Sequence, residues 1–212
     1  MIAPHTYPYI IVPVILACLT LALSLYWIWW ISISLFFFLL SIVFLIFFRD
    51  PPRRIQQGIV SPADGTIMDI QVLNDPDIGP AQRVSLFMNL YNVHINRFPL
   101  EGTITKMHHR PGGHHPAFTQ DSLHNEQLSY LMETPQGTIK IIQIAGTFAR
   151  RIVPYVTVGQ QVQKGEKIGI VRFGSRVDLY LPTGIPLHVT LGERFRAGET
   201  LQATQSTPHP LR

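Results

Sequence analysis

No Asp, Glu, Lys or Arg occurs in the first 48 residues of this chain, and every formal charge among its 212 residues falls between Arg49 and Arg212. Within the charge-free stretch, Tyr9 to Phe48 is almost wholly apolar. One helix crossing a bilayer needs about 20 apolar residues, so there is room for two short ones. Trp27, Trp29 and Trp30 sit near the middle, and tryptophan favours the boundary between lipid and water, which puts a turn there. The reading is a helical hairpin with arms over residues 10–26 and 31–48, making residues 1–50 a membrane-associated unit; one long tilted helix, or a hairpin lying in one leaflet, fits the same hydropathy. Arg49, Arg53 and Arg54 follow at once and are expected on the cytoplasmic side of the cell's inner membrane. A secretory signal does not fit, because no basic segment precedes the apolar run and no small-residue cleavage site follows it.

Pro51 and Pro52 end the second arm and begin a stiff exit. The remainder, residues 51–212, has the composition of one soluble domain, long enough to bury a core. Its net charge of +4 suits a surface facing anionic lipid and is far below that of a nucleic-acid-binding protein. A single cysteine, Cys18, rules out an intrachain disulfide. Short apolar runs at residues 58–60, 65–72, 83–90, 138–144, 167–173 and 177–181 are punctuated by Gly and Pro, which predicts a mainly β domain. Residues 121–131 are the one expected helix. Two segments echo each other. Val156-Thr-Val-Gly159-Gln-Gln-Val162-Gln-Lys-Gly165-Glu166 and Val189-Thr-Leu-Gly192-Glu-Arg-Phe195-Arg-Ala-Gly198-Glu199 share a V-x-x-G-x-x-(apolar)-x-x-G-E pattern. The pattern is similar to the turn units of lipoyl- and biotinyl-carrier domains, which implies a barrel-sandwich fold with glycines at tight turns.

The chemistry is concentrated in Arg172-Phe173-Gly174-Ser175-Arg176-Val177-Asp178. A hydroxyl just after a glycine can attack the preceding carbonyl and turn the amide into an ester. β-Elimination then releases the upstream chain and leaves dehydroalanine, which water converts to a pyruvoyl group and ammonia. A serine hydroxyl is a weak nucleophile and needs a neighbouring base. A Gly-Ser pair alone reads as a turn, so its surroundings decide.

Those surroundings resemble the short bacterial and archaeal phosphatidylserine decarboxylases. The blocks carrying the resemblance are Phe47-Phe48-Arg49-Asp50-Pro51-Pro52-Arg53, Ser61-Pro62-Ala63-Asp64-Gly65, Asn92-Val93-His94-Ile95-Asn96-Arg97-Phe98-Pro99-Leu100-Glu101-Gly102, Gln143-Ile144-Ala145-Gly146, Ala149-Arg150-Arg151-Ile152-Val153 and the Gly174-Ser175 segment, with Asn125-Glu126 between them. The resemblance implies a pyruvoyl-dependent carboxy-lyase that converts phosphatidylserine to phosphatidylethanolamine and carbon dioxide through a Schiff base. It implies self-cleavage between Gly174 and Ser175 into chains 1–174 and 175–212 that stay together as a heterodimer. The cofactor is then the pyruvoyl group made from Ser175. By the same resemblance Ser175, His94 and Asp64 form the self-cleaving triad, with His94 as base and Asp64 orienting it. The longer bacterial class has a second histidine where this chain has Tyr91, so His94 serves both steps, or Tyr91 or water contributes. Arg97, Arg150 and Arg151 are candidates for holding the lipid phosphate or carboxylate, and Asn125 and Glu126 for shaping the pocket. A phospholipid, the membrane and, compatibly, a second copy of the chain are the expected partners; nucleic acid is not.

Three alternatives accompany this reading. The substrate could be the corresponding archaeal ether lipid. A membrane-anchored lipoyl-like carrier would explain the hairpin and the echo, but Lys164 and Lys167 do not form the lysine tip such a carrier needs. A zinc site in Met107-His108-His109-Arg110-Pro111-Gly112-Gly113-His114-His115 is not expected. Neighbouring histidines on an extended chain point to opposite sides, and H-E-x-x-H is absent. That segment reads instead as a loop over the site.

Overall fold

The computed structural model describes residues 1–113, 115, 124–146, 151–171 and 175–202, which fall into two compact units, Met1–Pro52 and Arg53–Arg212. In the first, α1 (Tyr7–Leu23) and α2 (Trp30–Phe47) form an antiparallel pair. Proline in the first turn of α1 starts the helix early, where its missing N–H breaks no bond. The turn takes residues 24–29 and leaves Trp27 and Trp29 exposed, whereas Trp30 belongs to α2 rather than to the turn. Small residues let the arms approach: the Ser34 hydroxyl donates to the Ala17 carbonyl at 2.8 Å, which satisfies it among apolar side chains. Tyr9 packs on Phe44 and Phe48. The base is closed by Ala3 N–H on the Phe48 carbonyl and Asp50 N–H on the Met1 carbonyl. Leu35, Phe36, Phe38, Leu39, Val43 and Ile46 point outward and exposed, an apolar surface too large for a soluble helix. Among the described residues only α2 is long and apolar enough to cross a membrane; α1 stops at 17 residues.

The second unit is mainly β, as expected. Eight strands form one antiparallel sheet: β1 (Gly65–Asp75), β2 (Gly79–Met88), β4 (Gly102–Arg110), β5 (Gln127–Thr134), β6 (Gly137–Ala145), β8 (Gln161–Val162), β10 (Ser175–Pro182) and β11 (Arg194–Phe195), in the order β11-β1-β2-β10-β6-β5-β4-β8. A smaller sheet holds β3 (Ile95–Arg97), β9 (Lys167–Val171) and β7 (Ile152–Pro154) in the order β3-β9-β7. Two strands separate β1 from β6, yet Asp75 of β1 pairs with Lys140 of β6, so the large sheet curls into a half-barrel. The core is built by alternation. Val177, Leu179 and Leu181 of β10, Ile139 and Ile141 of β6, and Leu128, Tyr130 and Met132 of β5 meet Phe98, Ile152, Ile168 and Val171. Full burial of each such apolar side chain contributes about 1.5–3 kcal/mol.

The sequence echo has a clear structural counterpart. Each copy places two glycines at positive φ, 85° and 81° at Gly159 and Gly165, and 83° and 96° at Gly192 and Gly198, a region that costs other residues strain. Between them lies a two-residue strand, β8 on β4 and β11 on β1, and these are the two outer edges of the large sheet. Glu166 and Glu199 each accept a backbone N–H three residues back, at 2.8 and 2.7 Å. The repeat therefore closes both sheet edges, where unpaired strands would invite association.

Two expectations are corrected. Of the helix expected over residues 121–131, residues 121–123 lie outside the described residues, and residues 127–131 are strand. Their side chains alternate between buried and half-buried along β5, and pairing with β4 and β6 outweighs the helix propensity of Gln and Leu. Likewise Met107 to Arg110 complete β4 rather than forming a loop, because β5 supplies their partners.

Candidate active site

Ser175 is the first residue of β10, a strand between β2 and β6, and is fully buried. It pairs with Met88 on one side and Ala145 on the other. The side-chain period of two puts it on the face of Val177, Leu179 and Leu181, toward the core. Its hydroxyl lies 3.8 Å from the Met88 sulfur. Arg176 turns to the opposite face, where its guanidinium donates to Asp178 at 2.6 and 2.9 Å and to the Ser85 hydroxyl at 3.0 Å. This buried pair fixes the strand just beyond the reactive residue and does not face the core. Gly174 and Arg150 lie outside the described residues.

His94, also fully buried, comes from the opposing sheet. Its carbonyl accepts the Val171 N–H at 3.3 Å, which extends the β3–β9 ladder by one residue. Val171 precedes Ser175 by four positions, so the chain itself limits their separation to about 14 Å. Asn96, two residues after His94, is placed against the sulfur that the Ser175 hydroxyl touches: its amide donates to Met88 Sδ at 3.4 Å. The two sheets thus converge on Met88, with the Ser175 hydroxyl and the Asn96 amide against one atom.

Asp64 stands in the turn that enters β1 and is almost wholly buried. β1 is aligned by Thr66 opposite Phe87, one residue from Met88, so Asp64 arrives at the same end of the sheet as Ser175. Its turn is bound to the small sheet, since Arg97 donates its N–H to the Pro62 carbonyl at 2.8 Å. Both Asp64 oxygens contact the Arg53 Nη2, at 2.7 and 2.6 Å, and one accepts the Ala197 N–H at 2.9 Å. Arg53 therefore holds the carboxylate from upstream and Ala197 from the far end of the chain.

The remaining candidates take different places. Asn125 is fully buried and acts as a clamp. Its amide donates to the carbonyls of His115 and Ala145 at 2.6 and 2.7 Å, and its oxygen accepts the His115 N–H at 2.7 Å. Since Ala145 is the neighbour of Ser175 on β6, Asn125 stiffens the site's rim. Glu126 pairs with His109 at 3.0 Å. The Arg97 guanidinium donates to the Gly165 carbonyl at 3.0 Å, bracing a turn of the repeat. Arg151 is exposed, and Tyr91 is exposed at the tip of the β2–β3 turn.

Sequence reading missed a buried polar chain. The Tyr130 hydroxyl donates to the Gln143 side-chain oxygen at 2.7 Å, and the Gln143 amide donates to the Asn96 side-chain oxygen at 2.6 Å. All three residues are fully buried. A signal existed: Gln143 shares the parity of Ile139, Ile141 and Ala145, so a polar residue stands at a core position of an otherwise apolar strand.

Comparison with known proteins shows the family. A family model described as phosphatidylserine decarboxylase matches residues 40–203. A phosphatidylserine decarboxylase proenzyme of Streptomyces coelicolor is 51% identical over 155 residues, covering 73% of this chain and 69% of that protein. One from Desulfotalea psychrophila is 42% identical over 178 residues, covering 80% and 83%. A putative archaetidylserine decarboxylase proenzyme of Methanosarcina mazei is 42% identical over 168 residues, covering 78% and 76%. The match takes in the turn carrying Asp64, the segment carrying His94 and the start of β10 alike, and on its extent this chain belongs to the phosphatidylserine decarboxylase family.

Proposed function

We propose that this decarboxylase acts on phosphatidylserine, and that it matures by cutting its own chain between Gly174 and Ser175. The observation that supports the reading is the setting of Ser175: a buried hydroxyl at the first position of a central strand, at the end of the sheet to which the turn carrying Asp64 leads, with buried His94 bonded through its carbonyl to Val171 four residues upstream. His94 takes the proton from the Ser175 hydroxyl as its oxygen bonds to the carbonyl carbon of residue 174. The carbonyl electron pair moves onto oxygen. When that pair returns, the C–N bond breaks and the nitrogen of Ser175 takes the proton. Asp64, fixed by Arg53 and Ala197, is the group assigned to keep the His94 ring in its working orientation.

The residues present fit a pyruvoyl group at position 175. The position is closed to bulk water, and β2 and β6 pair with the strand on both sides over residues 176–180, beyond the peptide that is cut. Such a group supplies an electron sink for the bond that loses carbon dioxide. The chain's own part is to exclude water, to present the His94 imidazole for proton transfer, and to hold the phosphoserine headgroup, for which Arg151 remains an exposed cation. Arg150, outside the described residues, is the companion candidate. The charge-free helical pair keeps the site at the cytoplasmic face of the membrane, where a headgroup reaches it without leaving the bilayer.

The topology supports fragment association. Residues 175–202 contribute β10 to the middle of the large sheet and β11 to its edge. They also lock the entry to β1 through Ser61 N–H on the Glu199 carbonyl, Gly198 N–H on the Ser61 carbonyl and Leu201 N–H on the Ile59 carbonyl. The two pieces are expected to copurify and to separate only under denaturation; fragments that part in native buffer count against this placement of the cut.

The test of function is release of carbon dioxide from phosphatidylserine labelled in its carboxyl group, presented in mixed vesicles to the purified membrane-bound protein. Carbon dioxide with phosphatidylethanolamine as product supports the reading, and absence of both defeats it. A second arm uses an ether lipid with the same headgroup, because a similar protein from Methanosarcina mazei is named for archaetidylserine. Higher identity to the Streptomyces coelicolor protein favours the diacyl lipid.

A further inference from the structure

The Tyr130–Gln143–Asn96 chain has no part in the scheme above, yet it crosses the core between the two sheets and ends beside Ser175. Burying three polar side chains without charge is unfavourable unless each is satisfied, and an apolar core would avoid the difficulty. Its order of donors is fixed. Burial pushes the Tyr130 phenol far up from its ordinary value, so it stays protonated and donates. The Gln143 oxygen must accept that bond, which turns its amide nitrogen toward Asn96. The Asn96 oxygen must accept in turn, which leaves its N–H groups facing Met88.

There the chain ends on a weak acceptor. A thioether accepts poorly compared with a carbonyl or carboxylate, and the Ser175 hydroxyl rests on that same sulfur. A strong donor is thus held in a water-free site, beside the reacting residue, on a partner it can leave at little cost. That is the arrangement by which preset donors stabilise charge that develops during reaction. We propose that the Asn96 amide donates a hydrogen bond to the negative charge that develops at Ser175 during self-cleavage, its N–H held at the Met88 sulfur beside the Ser175 hydroxyl by Tyr130 and Gln143. This rests on the reading that Ser175 is the nucleophile.

The experiment follows conversion of full-length chain to two fragments on denaturing gels, after synthesis in a cell-free system with membranes, from pH 5 to pH 8. Asn96→Leu is expected to slow conversion by about 10²–10³ at every pH. Asn96→Asp keeps the size of the side chain but donates only when protonated. Burial favours that neutral form, and a neutral carboxylic acid can act as a buried donor. Its conversion should therefore speed up as pH falls. Wild-type conversion should not, since a protonated His94 no longer accepts a proton. Tyr130→Phe deletes one oxygen, frees Gln143 to turn over and is expected to slow conversion several-fold; it serves if the Asn96 variants do not fold. Wild-type rates in Asn96→Leu or Tyr130→Phe overturn the proposal. So does an Asn96→Asp profile of wild-type shape at a lower rate, which is the mark of a packing role. Ser175→Ala run alongside separates the two readings: if that variant is cut, the nucleophile assignment fails, whatever Asn96 does.

Discussion

A Ser175→Ala variant should remain one unbroken chain, fold, and show no decarboxylase activity. Folding is expected because the change is small and β10 depends on other groups. Val177, Leu179 and Leu181 are fully buried, and Arg176 is held by Asp178 and Ser85. The Ser175 hydroxyl contributes little to stability, since its contact is a thioether at 3.8 Å, weaker than the ordinary hydrogen bond worth about 1 kcal/mol. Chemistry is lost entirely because alanine has no nucleophile and cannot become a ketoacid. Denaturing electrophoresis reads the first outcome and carbon dioxide release the second. Two fragments from this variant would move the cut elsewhere, and an active uncut chain would remove the need for one.

His94→Ala should leave the chain largely uncut, with conversion slowed by about 10²–10⁴, the range that a positioned general base contributes. The variant also opens a void in a fully buried place, so stability must be read separately. His94→Gln, which fills more of the space without acting as a base, is the better probe of chemistry. If both variants stay uncut while their thermal unfolding remains cooperative and close to that of Ser175→Ala, the loss is catalytic. Conversion at the wild-type rate in His94→Gln would remove the imidazole from maturation and shift attention to other groups at Met88.

Much of the fold was legible. Charge-free residues 1–48 have no route to a soluble surface, and α1 and α2 follow from composition. The V-x-x-G-x-x-(apolar)-x-x-G-E echo specified glycines at tight turns, and four of them take positive φ; that each copy also closes a sheet edge came only from the fold. The misreadings have one cause. Residues 127–131 carry helix-forming side chains, and Met107 to Arg110 resemble a polar loop; both became strands because each supplies the other's hydrogen bonds. Neighbours that distant are invisible to local propensity.

The candidate site divides along the same line. Residue types in local patterns determined the apolar hairpin and the turn glycines, because backbone sterics and solvation act within a few residues; the Gly174-Ser175 step is proposed from the wider sequence blocks around it. Only the tertiary structure decided that Asp64 is gripped by Arg53 and Ala197, that Asn125 is a clamp, and that Ser175 shares the Met88 sulfur with Asn96. The reason is strand register. Ser175 meets Met88 across 87 positions of sequence because pairing of β10 with residues 81–88 of β2 sets which side chains face one another, and that pairing exists only once the sheet has formed.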